Sequence, residues 1–343
     1  MSDARPQISY AEASQVLKSY NLGALQFLRP GAGTANPAVI AVTTKGQFFV
    51  KRRNPRYDSK EQLSYDHGVV QHLARAGLPV TPSLRTNSGS RWVTGERGVH
   101  EVYPLVQGKP HMPGRSEQIR AAGSTLAALH LATQDLEPPG DKTLPRLHDP
   151  RDVLTGLRWA HQQNVEEDAD RIACLVECAE TVARRLPDRA YWRLPLCIIH
   201  GDYHPANLKF EGDAVAGVFD FDWVGRGPRM VDLADGLLFF CGVRKRPLDP
   251  GDIVSLTQAF ELDREMMAAF GQGYGSLIEP TGQELAALPE LMRARWLFCR
   301  VDAMQRKIPQ EQKLAYLLEE IELPLQQIES HEEWLESGVW LRP

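Results

Sequence analysis

Strand-forming and helix-forming residues are segregated along this chain, and that segregation narrows its fold more than any other feature. Residues 38–44 and 47–53 are apolar or β-branched runs around Lys45-Gly46, which reads as a hairpin. Residues 91–94 and 99–106 are two more strand candidates, around the turn Gly95-Glu96-Arg97-Gly98. Two helices are expected in this third. One covers 9–20, with Ser9 as N-cap and Asn21-Leu22-Gly23 as its stop. The other opens on the capping-box pattern Ser59-Lys60-Glu61-Gln62, carries Val69, Val70 and Leu73, and ends at Gly77. Past Gly108-Lys109-Pro110 the texture turns helical, over 116–133, 149–186 and about 250–335. Only 196–199, 207–210 and 214–219 read as strands there. Alternating βα units would predict a parallel sheet. This order predicts an α+β chain of two lobes, residues 1–104 rich in β and residues 105–343 mostly helical, hinged within 101–108.

With 343 residues, the chain is long enough for one large domain or two. It is 43% hydrophobic and 24% charged, which excludes a disordered chain or a coiled coil. The formal charge is −5, whereas a general nucleic-acid coat needs a basic face, so no nucleic-acid partner is expected. No apolar run approaches about 20 residues, so no membrane span is expected. Met1-Ser2-Asp3-Ala4-Arg5-Pro6 has no apolar core of a secretory signal. The five cysteines, Cys174, Cys178, Cys197, Cys241 and Cys299, are odd in number and scattered. They read as thiols of a reducing, cytoplasmic compartment.

The chemistry concentrates in Ile199-His200-Gly201-Asp202-Tyr203-His204-Pro205-Ala206-Asn207-Leu208. A strand runs into a loop that bears Asp202 and, five residues on, Asn207. Asp220 follows at the end of another apolar strand. Phosphoryl transfer from ATP wants such a set. One carboxylate, Asp202, orients the attacking hydroxyl and accepts its proton. An amide oxygen and a second carboxylate, Asn207 and Asp220, hold the Mg2+ that bridges the nucleotide's phosphates. The N-terminal third supplies a matching half. Lys51, in Gln47-Phe48-Phe49-Val50-Lys51, is a strand-borne lysine of the kind that pairs with nucleotide phosphates in kinases. Ahead of it, the loop Gly31-Ala32-Gly33-Thr34-Ala35-Asn36 offers backbone N–H groups and close approach.

With these motifs the sequence resembles the aminoglycoside phosphotransferase, choline kinase and type II homoserine kinase superfamily, small-molecule kinases with a protein-kinase-like fold. The motifs run from about residue 28 to about residue 241. The resemblance implies a two-lobed α+β fold, ATP and Mg2+, and a small-molecule hydroxyl as acceptor. It makes Asp202 the base, Asn207 and Asp220 the metal ligands and Lys51 the phosphate-binding lysine. Asp66 falls where the family usually has a glutamate paired with that lysine. Gly31, Gly33 and Asn36 match the nucleotide loop, and Asp232 matches an aspartate that braces the catalytic loop. Three departures stand out. Asp66 is one methylene shorter than glutamate, the loop is not a full G-x-G-x-x-G, and Phe221 is followed by Asp222 rather than glycine.

The resemblance leaves the acceptor open among homoserine, choline, ethanolamine, sugars, methylthioribose and aminoglycosides, with a homoserine- or amino-alcohol-like metabolite favoured. Two neighbouring activities compete: a bacterial stress-response Ser/Thr protein kinase and an aminoglycoside-modifying phosphotransferase. Against the protein kinase, only seven residues separate Asp220 from Pro228, which leaves no room for a peptide-docking activation segment. A metal hydrolase built on His200, Asp202 and His204 would leave Lys51 and Asn207 unexplained. A non-catalytic nucleotide-binding module would not need Asp202. Asp222 reads either as a further metal-site group or as a salt-bridge partner of Arg226 or Arg229. His130 reads as a satisfied core histidine, and Arg52 and Arg53 as a basic face. The glutamates 319, 320, 322, 329, 332, 333 and 336 read first as a solvated helix face and second as an acidic rim for a cationic substrate.

Overall fold

A computed structural model of the chain describes residues 7–31, 36–163, 168–249 and 251–342. Helix α1 (Tyr10–Leu17) starts where Ser9 accepts a hydrogen bond from the Glu12 N–H. Five strands follow: β1 (Leu25–Pro30), β2 (Ala38–Thr43), β3 (Gly46–Arg52), β4 (Val93–Gly95) and β5 (Gly98–Pro104). They form one antiparallel sheet in the order β1-β2-β3-β5-β4. Helix α2 (Lys60–Arg75), capped by Ser59, sits between β3 and β4 in sequence.

Side-chain alternation divides the sheet into two faces. Val39, Ala41, Val50 and Val102 pack with Ile8, Ala13, Val16, Leu17 and Tyr20 in a small core under α1. Val50 points into that core, so Lys51 emerges on the opposite face, directly across from Glu101 of β5. The buried residues of α2, Tyr65, Val69, Val70 and Leu73, join the larger core formed by the remainder of the chain.

That remainder begins with α3 (Ser116–Thr133), α4 (Pro150–Gln162), α5 (Ala169–Arg185) and α6 (Asp188–Tyr191). Two antiparallel pairs follow, β6 (Leu196–Ile199) with β9 (Gly225–Pro228) and β7 (Leu208–Glu211) with β8 (Ala214–Val218). Next come α7 (Met230–Phe240), β10 (Gly242–Arg244), α8 (Ile253–Leu256), β11 (Phe260–Leu262) and α9 (Arg264–Gly275). The chain closes with α10 (Gly282–Lys307), α11 (Lys313–Leu318) and α12 (Glu322–Ser337). Every residue of α7 is buried, so this helix runs through the interior of the helical part. Helices α3 and α9 meet backbone to backbone. A Cβ on Gly123 would lie 2.1 Å from the Phe270 carbonyl oxygen, and one on Gly273 would lie 2.0 Å from that of Arg120.

The α+β order stands as read from the sequence, with additions. Strand β1 was not expected. Its Arg29-Pro30 end is exposed and lacks alternation. Strands β9, β10 and β11 also lie outside the expected set. Strand β9 is Gly-Arg-Gly-Pro, a sequence with little strand propensity that is held by pairing with β6. Among the described residues no helix is long and apolar enough to cross a membrane. The five cysteines are free thiols.

Candidate active site

The loop after β6 is fixed before any substrate arrives. Gly201 has φ +78°, and a Cβ there would lie 2.5 Å from the Trp223 carbonyl oxygen. Asp232, fully buried in the first turn of α7, accepts from the backbone N–H of His200 and of Gly201, each at 2.7 Å. His130 Nε2 lies 3.1 Å from the same carboxylate, and His130 Nδ1 lies 3.0 Å from the Tyr274 hydroxyl.

Asp202 is thereby presented at the mouth of the loop. Its Oδ1 accepts from Arg295 Nη2 at 2.8 Å, and its Oδ2 lies 3.2 Å from His204 Nε2. Asn207 donates through Nδ2 to the Asp202 carbonyl at 2.9 Å and to Oδ2 at 3.3 Å. Burial alone would raise the Asp202 carboxyl, but His204 and Arg295 outweigh it and hold the group well below the usual carboxylate range. Asp202 is therefore ionised at neutral pH.

Asp220 follows β8 in the left-handed region, with φ +62° and ψ +64°. For a residue with a Cβ this costs on the order of 1–3 kcal/mol and persists only where the surroundings enforce it. The enforcement is visible. Lys51 Nζ reaches Asp220 Oδ1 at 2.8 Å and Asp222 Oδ1 at 2.7 Å. Arg53 Nη1 lies 2.9 Å from Asp222 Oδ1, and Asn36 Nδ2 donates to Asp222 Oδ2 at 2.8 Å. Burial would lower the Lys51 ammonium, but Asp220 and Asp222 outweigh it and raise it, so the lysine stays charged.

The lysine's partners differ from the sequence expectation. Asp66 does not pair with Lys51 in this structure. Its Oδ2 is 2.5 Å from Arg53 Nη2 and its Oδ1 is 2.6 Å from Lys142 Nζ. Nor does Asp222 reach Arg226 or Arg229. Arg229 pairs with Glu284 at 2.7 Å, and Asp222 takes the place beside Lys51. The reason is the strand period. Arg53 sits two residues after Lys51, on the same side of the sheet, and takes Asp66 for itself. Glu101, fully buried opposite Lys51, binds His67 Nε2 at 2.9 Å and lies 3.5 Å from Arg53. Its carboxyl is held far below the usual range by Arg53 and His67 against the opposing effect of burial.

Of the loop residues, Asn36 is drawn into this network, and its Oδ1 also accepts from the Asn54 N–H at 2.9 Å. The Gly31 N–H donates to the Ala38 carbonyl at 3.2 Å. Gly33 lies outside the described residues. Sequence reasoning missed Glu101, Lys142, His148 and Arg295. Arg295 contacts His148 Nε2 through Nη1 at 3.1 Å and Asp235 Oδ1 through Nε at 3.0 Å. Burial and the Arg295 charge push His148 well below the ordinary histidine value, so it stays neutral and accepts that bond. No sequence signal marks Arg295, because α10 buries Arg293, Arg295 and Arg300 alike.

Asn36, Lys51, Asp202, Asn207, Asp220 and Arg295 border one cleft of about 1090 Å³ between the sheet and the helical part. Ile40 and Phe49 line its sheet side, residues 103–106 its back, and Phe239, Phe298, Asp302 and Arg306 its far end. This volume is at the upper end of the roughly 300–1,000 Å³ common for small-molecule sites, room for a nucleotide and a second substrate. A lysine bound to carboxylates and an ionised, arginine-held aspartate bordering the same cleft are the components of phosphoryl transfer.

Comparison with known proteins agrees with this geometry. Residues 26–288 match the family described as Phosphotransferase enzyme family. A homoserine kinase of Beijerinckia indica is 28% identical over 293 residues, covering 83% of this chain and 82% of that protein. A homoserine kinase of Polaromonas naphthalenivorans is 26% identical, covering 84% of each. Among solved structures, a microcompartment-associated aminopropanol kinase superposes with a TM-score of 0.71 at 18% identity, over 96% of this chain and 99% of its own. An aminoglycoside phosphotransferase of Alicyclobacillus acidocaldarius superposes with a TM-score of 0.66 at 18% identity, over 95% of each chain. The fold is thus that of the protein-kinase-like phosphotransferases, and with its family motif running from the first strand into α10 the chain belongs to the phosphotransferase enzyme family.

Proposed function

We propose that this protein transfers the γ-phosphoryl group of ATP to a hydroxyl of a small metabolite, with a homoserine-like amino acid as the favoured acceptor. The observation that carries the reading is Asp202, ionised and held by Arg295, bordering the same cleft as the Lys51–Asp220 pair. Residues 1–104 serve as the nucleotide lobe and residues 105–343 as the catalytic and acceptor lobe. A cytoplasmic site of action goes with such a metabolic kinase.

The residues present fit magnesium. Asn207 spends its amide N–H groups on Asp202, which turns Oδ1 the other way as a hard oxygen ligand. The Asp220 side chain remains 34% exposed toward the cleft. Among the described residues no group of three or more His, Cys, Asp or Glu forms a protein-only cage. That suits an ion which takes one or two protein ligands and completes its shell with phosphates and water. When bound, Mg2+ would be held by Asn207 and Asp220 and would supply the positive charge that phosphoryl transfer needs there.

The protein's own part is positioning. Lys51 holds nucleotide phosphate oxygens, and Asp202 accepts a hydrogen bond from the acceptor hydroxyl and lines it up. With so acidic a carboxyl, Asp202 is a weak proton acceptor early on. It takes the proton late, as the loose transition state passes to product. The acceptor end sets Arg146, Arg295, Arg306 and Lys307 against Asp152 and Asp302. Mixed charge of this kind fits a zwitterion better than a polycationic aminoglycoside. The acidic C-terminal residues do not rim the cleft. Glu322 binds Arg171, and Glu332 binds Arg185 and Arg293.

The test is an ATP-consumption assay over homoserine, amino alcohols, sugars and aminoglycosides. Turnover strongest with homoserine or a close hydroxy amino acid is expected. Turnover on none of these alcohols, with ATP bound, would remove the kinase reading.

A further inference from the structure

The connection from α3 to α4 crosses the back of the cleft and carries a buried lysine that phosphoryl transfer, as described, does not use. Residues 139–144 are pressed against two elements, α2 and β9. A Cβ on Gly68 of α2 would lie 2.4 Å from Pro139 Cδ, and one on Gly140, at φ +87°, would lie 2.3 Å from the Glu61 carbonyl oxygen. A Cβ on Gly225 of β9 would lie 2.3 Å from Leu144 Cδ1. Between these anchors, Lys142 is 7% exposed. Its ammonium donates to Asp66 Oδ1 at 2.6 Å and to the backbone carbonyl of Asp222 at 2.8 Å.

The second bond matters because of where Asp222 lies. The turn at 220–223 holds Asp220 in its left-handed conformation, which persists only where the surroundings enforce it. Lys51, Arg53 and Asn36 grip it by the Asp222 carboxylate. Lys142 alone among the bonds described here grips it by the backbone. The contacts close a ring. Lys142 binds Asp66, Asp66 binds Arg53, Arg53 binds the Asp222 carboxylate, and the Asp222 carbonyl binds Lys142.

We infer that Lys142 is a positioning residue, which ties α2 to the 220–223 turn and so holds Asp220 in the geometry that binds the metal-nucleotide. The inference rests on the kinase reading above. It distinguishes Lys142 from a lysine that merely packs, because its effect falls on the metal-dependent part of ATP affinity.

The experiment is calorimetric titration of the full-length protein with ATP in Mg2+ and with ATP in EDTA, for wild type, Lys142→Met and Lys142→Arg. Outer-shell partners of metal ligands are typically worth about 10–100-fold in metal affinity. Lys142→Met is expected to weaken ATP binding roughly tenfold or more in Mg2+ and less than about twofold in EDTA. Its KM for ATP should rise while the KM for the acceptor stays level, and Lys142→Arg should recover part of the loss. Should Lys142→Met not fold, Asp66→Asn, which unhooks the lysine at its other end, carries the same expectation. A folded variant whose affinity in Mg2+ stays within twofold of wild type, or falls equally in EDTA, overturns the inference alone. A wild-type protein that binds ATP no better with Mg2+ than without overturns the kinase reading and this inference together.

Discussion

Arg295 holds Asp202 by a single 2.8 Å contact from Nη2 to Oδ1, from a helix 93 residues further along the chain. With His204, the contact holds the aspartate in its charged form. Asp202 is desolvated, and burial by itself would raise its carboxyl; Arg295 and His204 reverse the sign. The native value is depressed below the ordinary carboxylate value of about 3.9. Any stability Asp202 contributes is therefore in full force above that ordinary value, and is lost only as pH falls below it toward the native one.

The pH profile of Arg295→Met follows from this sign. Wild-type kcat should show no acid limb from Asp202 at mildly acidic pH. In Arg295→Met the burial and His204 remain and the arginine charge is gone, so the Asp202 carboxyl rises. An acid limb should then enter the profile, with kcat falling on the acid side and recovering toward neutral pH. A kcat profile as flat as wild type would show that Arg295 does not set the charge of Asp202.

Replacement of Asp202 itself separates chemistry from binding. Asp202→Asn keeps the shape and the backbone bonds of the loop but accepts no proton. General acid–base groups contribute typically 10²–10⁴-fold, so kcat should fall by roughly that factor. The ATP dissociation constant should stay near wild type, because Lys51 and Asp220, the groups proposed to hold the metal-nucleotide, are unchanged. Unchanged turnover would sink the assignment.

Lys51→Met tests the cation at the nucleotide end. Charge-assisted hydrogen bonds are worth about 1.5–3 kcal/mol, so the KM for ATP should rise by roughly 10–100-fold. The variant leaves Asp220 without its ammonium partner and Asp222 with Arg53 and Asn36. It should melt at a lower temperature than wild type, and added Mg2+ should raise its Tm by more than it raises that of wild type. An equal Mg2+ effect in both proteins would argue against a metal site at Asp220.

These residues differ in how far the sequence reveals them. The place of Lys51 follows from alternation, since Val50 must enter the core and Lys51 must then face away from it. The loop of Asp202 follows from strand, turn and strand signals around it. Which carboxylate Lys51 binds does not follow. Asp66 is the partner the sequence suggests, but Arg53, together with Lys142, claims it, and Lys51 binds Asp220 and Asp222 instead. Lys142 and Arg295 had no motif to betray them, because each acts through contacts far away in sequence, 76 and 93 residues from its carboxylate. The paired strand β9 was hidden for the same reason. A Gly-Arg-Gly-Pro run becomes a strand only once β6 is beside it.

Gly123→Ala probes the scaffold away from the chemistry. Its added methyl would meet the Phe270 carbonyl at 2.1 Å, against backbone that cannot rotate aside. Overpacking of this kind costs typically about 1–3 kcal/mol and sometimes more. Denaturant titration should show that loss, with both KM values unchanged. Wild-type stability would mean that α3 and α9 are further apart than described here.

Asp232 links scaffold to catalysis, and Asp232→Asn tests that link. The carboxylate receives two buried backbone N–H groups, one on each oxygen, from His200 and Gly201. An asparagine offers one oxygen and one NH2 group, so one of the two amides must face a donor. Losing a buried hydrogen bond to a charged group costs about 1.5–3 kcal/mol, and the stranded amide adds its own desolvation. The variant should lose at least that much stability. The loop that presents Asp202 also loses half of its anchor, so kcat should fall while the KM for ATP stays put. Tm and kcat both at wild-type values would mean that the loop is held by Gly201 and its neighbours alone.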